Sequence, residues 1–200
     1  MELFYTVVSQ EGLVQSKPEL SLGGFCSGSK VPNGSLGNLF SEISAYFMQN
    51  PKAEYIGLIL KNTFAESVKN LKFWMNVPEN SICNFRIAIV ELNSNGQMEH
   101  IPSVNSKPFY ADFEVTSETD KIEIESEEPF ASGQMLGIWI ERTLNMDSDQ
   151  VKNRNNCDVL FEMFEKNQKW PTEENVSLNV DFSMESGSSF NADFNNDYDN

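Results

Sequence analysis

Histidine is nearly absent from this sequence. His100 stands alone, and cysteine occurs three times, at Cys26, Cys83 and Cys157, with no CxxC pair. Zinc sites need clustered Cys and His, and disulfide frameworks need patterned pairs, so neither is expected and three reduced thiols are. A lone His with no oriented nucleophile beside it reads as a surface or packing residue. Basic residues are also scarce: 14 Lys+Arg stand against 30 Asp+Glu, for a formal charge of −16. Nucleic-acid binders and polybasic membrane-surface proteins need basic faces, so neither partner is expected. Long hydrophobic runs are missing too. Those near Ile56–Leu60 and Ile87–Val90 are far too short to span a bilayer. The first Lys is Lys17, so no basic region opens the chain and no signal peptide is expected.

What the chain does have is packing material. Its 15 Phe, 5 Tyr and 3 Trp can bury a core. The length is about one domain and a little spare, at roughly 100–200 residues per domain. Leu3 to Val8 reads as a strand. Residues 12–37 read as loop, punctuated by Gly23-Gly24, Pro32 and Asn33-Gly34. Asn38 caps an expected helix from Leu39 to about Met48, with Leu39, Phe40, Ile43 and Phe47 on one face.

The period then changes to two. Tyr55–Leu60 is nearly all apolar, as suits a strand buried on both faces. Alternation follows over Val68–Val77, Phe85–Ile89, Phe109–Val115, Ile122–Ile124, Leu136–Glu141 and Val176–Ser183. Asn93-Ser94-Asn95-Gly96 reads as a hairpin turn. Seven or eight short strands with one apolar face each predict a mainly β chain. The expected fold is an antiparallel β-sandwich, jelly-roll or Ig-like, with one or two short helices.

Residues 1–183 form that domain in this reading. It has a loop-rich N-terminal arm, a polar insertion at 145–156 and an inserted helix near 158–167. Residues 184–200 read as an acidic tail of disordered composition. Phe190, Phe194 and Tyr198 nonetheless recur every four residues there, which would give one apolar stripe on a docking helix.

Chemistry is hard to find. Gly23-Gly24 through Gly28 lacks phosphate-loop spacing, and no G-x-S-x-G elbow is present. Asp193, Asn195, Asp197 and Asp199 imitate the start of a calcium loop, but the chain ends before position 12. Glu118 to Glu128 is dense in carboxylates. Glu123 and Glu125 alternate with Ile122 and Ile124, as on the wet face of a strand. No catalytic residue, cofactor or metal is expected, and the chain reads as a non-enzyme. Trp74, Tyr110 and Trp139 interrupt polar faces. Exposed, they would be interface residues; the alternative is burial under a further layer.

Several segments carry a resemblance. They are Ser21-Leu22-Gly23-Gly24-Phe25, Val31 through Ser44 (VPNGSLGNLFSEIS) and Glu54 through Asn62 (EYIGLILKN), then Ser106 through Ala111 (SKPFYA) and Leu136 through Arg142 (LGIWIER). Together, over about Ser21–Phe182, the chain resembles bacteriophage virion proteins. It is most similar to the ring-forming neck and tail proteins of crAss-like phages, short-tailed phages of gut Bacteroidales. The resemblance implies a structural subunit that forms a homo-oligomeric ring in the portal–neck–tail region, assembled in the bacterial host cytoplasm. Its partners would be itself and other neck and tail proteins. It implies no catalytic residues. The expected interaction residues are Trp74, Tyr110, Trp139, Phe190, Phe194 and Tyr198. A carbohydrate-binding sandwich, with Trp74, Trp139 and Tyr110 as a sugar-stacking platform, is the alternative. A hydrolase using carboxylates of the Glu118–Glu128 region is a third.

Overall fold

The computed structural model of the chain describes residues 1–9, 13–32, 39–41, 43, 47–48, 50–79, 81–124, 129–145, 176–184 and 188–193. Two antiparallel sheets make up the fold. The first has the order β2-β1-β3-β7-β5, from β1 (Glu2–Val7), β2 (Phe25–Lys30), β3 (Glu54–Lys61), β5 (Cys83–Val90) and β7 (Met135–Leu144). The second has the order β6-β4-β8-β9, from β4 (Val68–Asn76), β6 (Ile122–Ile124), β8 (Ser177–Met184) and β9 (Ser189–Asp193). Every pairing is antiparallel.

The main core lies between the sheets. Ile56, Leu58, Leu60, Ile138 and Ile140 of the first meet Leu71, Phe73, Met75, Leu178 and Val180 of the second. Alternation places these residues on one face, and burial of each large aliphatic side chain stabilises the fold by about 1.5–3 kcal/mol. Leu39, Phe40 and Ile43, from the segment expected to be a helix, are buried in the same core, and Phe47 and Met48 have helical backbone. The inserted helix near 158–167 lies outside the described residues.

The first sheet has a second core on its outer face. Tyr55, Ile59, Ala88 and Trp139 pack there against Cys26, Met98, Ile101 and Ala111. The connection after β5 forms this third layer. It is tied down by Met98 N–H to Gly24 O (2.9 Å), Ile101 N–H to Leu22 O (2.9 Å) and Tyr55 N–H to Val104 O (2.7 Å). The near-continuous apolar run of β3 follows directly: its even positions face one core and its odd positions the other.

At Asn62 the chain leaves the first sheet for the second. The side chain is buried, yet Nδ2 donates to Glu66 O (3.0 Å) and Phe130 O (2.9 Å) while Oδ1 accepts from Phe64 N–H (3.0 Å). A buried amide is tolerated because these bonds replace water.

Four sequence expectations change. Residues 25–30, within the expected loop and arm, form β2 in the first sheet. Asn93–Gly96 is a turn, with Gly96 at φ 73°, but the chain beyond it enters the outer layer rather than a partner strand. Residues 109–115 are no strand: Phe109 and Val115 are exposed and Ala111 is buried in the outer layer. Within the expected tail, Ser189–Asp193 is β9, paired with β8 from Asn179↔Asp193 to Ser183↔Ser189. Phe190 leaves the expected helical stripe because its ring stacks on Phe182, centroids 5.9 Å apart.

Candidate functional site

The outer face of the first sheet is built in cross-strand rows. Tyr55, Glu141 and Arg86 are aligned across β3, β7 and β5. Tyr55 Oη donates to Glu141 Oε1 (2.9 Å), and Arg86 Nε donates to Glu141 Oε2. Burial, then the hydrogen bond to the Glu141 carboxylate and its charge, push the Tyr55 hydroxyl up to about 12. The next row is Gly57, Trp139 and Ala88, and the one after is Ile59, Gly137 and Val90. Small residues beside Trp139 make room for the indole. The Phe113 ring covers the first row, 5.4 Å from Tyr55 and 5.9 Å from the Arg86 guanidinium.

Above this layer, residues 107–112 make a braced turn. The Glu99 carboxylate accepts from Phe109 N–H (2.8 Å to Oε2) and from Tyr110 N–H (3.1 Å). An ionised acceptor makes these bonds stronger than neutral ones. The two rings meet edge to face, 4.9 Å between centroids. Phe109 is 83% exposed and Tyr110 79%. Exposed Lys107 and Asp112 flank the pair. A fixed aromatic pair in water is what interface hot spots are made of.

The expected interaction residues do not share one surface. Tyr110 is on the turn. Trp139 is 1% exposed, beneath the outer layer, and Trp74 is 5% exposed on the other sheet. Lys121 covers Trp74 at 3.7 Å from the ring centroid and pairs with Asp181 at 2.8 Å. Of the two readings the sequence left open for these tryptophans, burial is the one the structure shows, and the three rings make no sugar-stacking platform. Phe190 is about half exposed on β9, while Phe194 and Tyr198 lie outside the described residues. Glu123, on the acidic strand, is an exposed partner of Lys72 at 2.6 Å. His100 is exposed, its Nδ1 3.0 Å from Leu22 O.

Phe109 was missed as a surface residue because its alternation with Tyr110 and Ala111 imitates a strand. Pro108 was the contrary signal. It cannot donate to a ladder and biases the chain toward a turn. Among the described residues no group of three or more His, Cys, Asp or Glu could hold a metal, and no helix is long and apolar enough to cross a membrane. No family model, curated protein or solved structure matches the chain.

Proposed function

We infer that this chain is a structural subunit of a bacteriophage virion, forming a ring in the portal–neck–tail region by contact with its own copies and with neighbouring virion proteins. The observation that carries the reading is the exposed, braced Phe109–Tyr110 pair. It falls in Ser106–Ala111, one of the segments on which the resemblance to ring-forming phage proteins rests. A ring needs heterologous contacts, in which one patch meets a different patch on the next copy. A charge of −16 would also keep such a ring from adhering to DNA passing through it.

Native mass spectrometry and negative-stain imaging test this on the purified chain, alone and with the proteins encoded beside it. The expected result is a closed ring of one copy number, alone or on a neighbouring neck or tail protein. A chain that stays monomeric at every concentration and joins none of those proteins would refute it.

A further inference from the structure

The aromatic pair stays in water although its immediate neighbours do not. Pro108 and Ala111, on either side of it, are buried, while Phe109 and Tyr110 forgo a burial that would stabilise the fold. The backbone of this two-residue tip is what holds the rings out. Pro108 has its φ fixed by its own ring, and both amides of the tip donate to Glu99. Oε2 alone accepts from both, at 2.8 and 3.1 Å, and Oε1 adds a second contact to Phe109 N–H at 3.0 Å.

Glu99 is itself rooted in the first sheet. Residues 98–101 lie along 22–24, with Met98 and Gly24 bonded in both directions (2.9 and 3.3 Å) and Ile101 N–H bonded to Leu22 O (2.9 Å). A Cβ on Gly23 would come 1.8 Å from Glu99 O, so only glycine, here at φ 86°, lets the two backbones approach this closely. The carboxylate thus ties the tip to a rigid base. A contact fixed in advance gains affinity because less has to be ordered on binding. The fold needs the tie less, since the amides of an exposed tip can bond to water instead.

We propose that Glu99 is the positioning residue of the subunit contact: its carboxylate holds Phe109 and Tyr110 in the arrangement a neighbouring subunit grips, and so sets the strength of ring assembly while adding little to the fold. The proposal rests on the ring reading and names the residue that readies its contact.

Amide hydrogen exchange and sedimentation of the full chain test it together. Glu99→Ala should strip exchange protection from the Phe109 and Tyr110 amides and weaken ring assembly roughly tenfold, the size expected when two rings must be ordered on binding. Its thermal transition should move little. Glu99→Gln keeps an oxygen that can accept from both amides, so it should retain most of the protection and most of the assembly. In a chain that also carries Phe109→Ala and Tyr110→Ala, Glu99→Ala should cost no further assembly, because it acts only through the rings. Full-strength assembly by Glu99→Ala would overturn the proposal and leave the ring reading standing. An equal loss in the chain without the rings would overturn it too, since Glu99 would then act elsewhere. A parent chain that joins neither its own copies nor a neighbouring virion protein would refute the ring reading, and the exchange measurement would still decide whether Glu99 holds the tip.

Discussion

Trp139 occupies the space that a side chain at position 57 would need. A Cβ on Gly57 would come 3.0 Å from Cζ3 and 3.1 Å from Cη2 of the indole, and 3.2 Å from the Gly23 nitrogen. The backbone of Gly57 is also engaged. Its N–H donates to Ser21 O (2.8 Å), and its carbonyl accepts from Ser21 Oγ (2.6 Å). The strand therefore cannot drift away from the ring without breaking those bonds.

Gly57→Val should overpack this contact and cost about 1–3 kcal/mol. Trp139→Ala should cost about 3–5 kcal/mol by opening a cavity in the outer core. Chemical denaturation of the two variants checks both. A neutral Gly57→Val would mean that the outer layer yields easily.

Tyr55 predicts a pH dependence at the alkaline end. Its pKa is raised from 10 to about 12 in the folded chain. The unfolded chain loses the proton first, so this contribution is whole below pH 10 and declines as pH rises from about 10 to 12. The slope for one proton is about 1.4 kcal/mol per pH unit. Stability measured across this range should fall less steeply in Tyr55→Phe than in the parent chain.

The Arg86–Glu141 pair should behave unlike the surface pairs. Glu141 is buried, so Arg86→Ala strands a buried carboxylate at a cost of about 3–5 kcal/mol. Adding Glu141→Gln should recover part of that, since the amide oxygen still accepts from Tyr55. Lys30→Ala, which breaks the exposed contact to Glu2, should cost at most about 1 kcal/mol. Urea midpoints of the four proteins provide the comparison.

A chain stopped after Met184 should be less stable than the full one. On composition alone, removal of residues 186–200 would leave the thermal transition nearly unchanged. The structure reverses that expectation, because β9 pairs along β8 and the Phe190 ring lies 5.9 Å from Phe182 and 6.5 Å from Phe64. The aromatic contact alone is worth about 0.5–1.5 kcal/mol. Calorimetry of the truncated chain checks it; an unchanged transition would show that β9 adds nothing.

Much of the architecture was legible because alternation survives wherever a strand has one consistent inner face. β4, β5, β7 and β8 are of that kind, and the unbroken run of β3 correctly announced burial on two sides. β2 was hidden because Phe25-Cys26-Ser27-Gly28-Ser29-Lys30 is rich in turn formers. β9 was hidden because a short polar segment carries little apolar signal, and its one ring is explained only by the Phe182 it faces once the chain turns back from β8. Trp74 and Trp139 stayed open between surface and core for one reason. A residue on a polar face can still be buried, by Lys121 in one case and by the outer layer in the other. The aromatic turn depends on Glu99, whose carboxylate accepts from backbone, and no residue pattern marks such a bond.

Just beyond that turn, the chain runs along the open side of the sandwich. Glu114 exchanges backbone bonds with Ile87 of β5, at 2.8 and 3.0 Å, and the Thr116 hydroxyl accepts from Met75 N–H of β4 at 2.9 Å. Within three residues one segment is fastened to both sheets, and it then becomes β6. Mechanically this is a shared anchorage. Tension applied at Phe109–Tyr110 is divided between two ladders instead of peeling one edge strand. A subunit gripped there by a neighbour would resist as a whole sandwich.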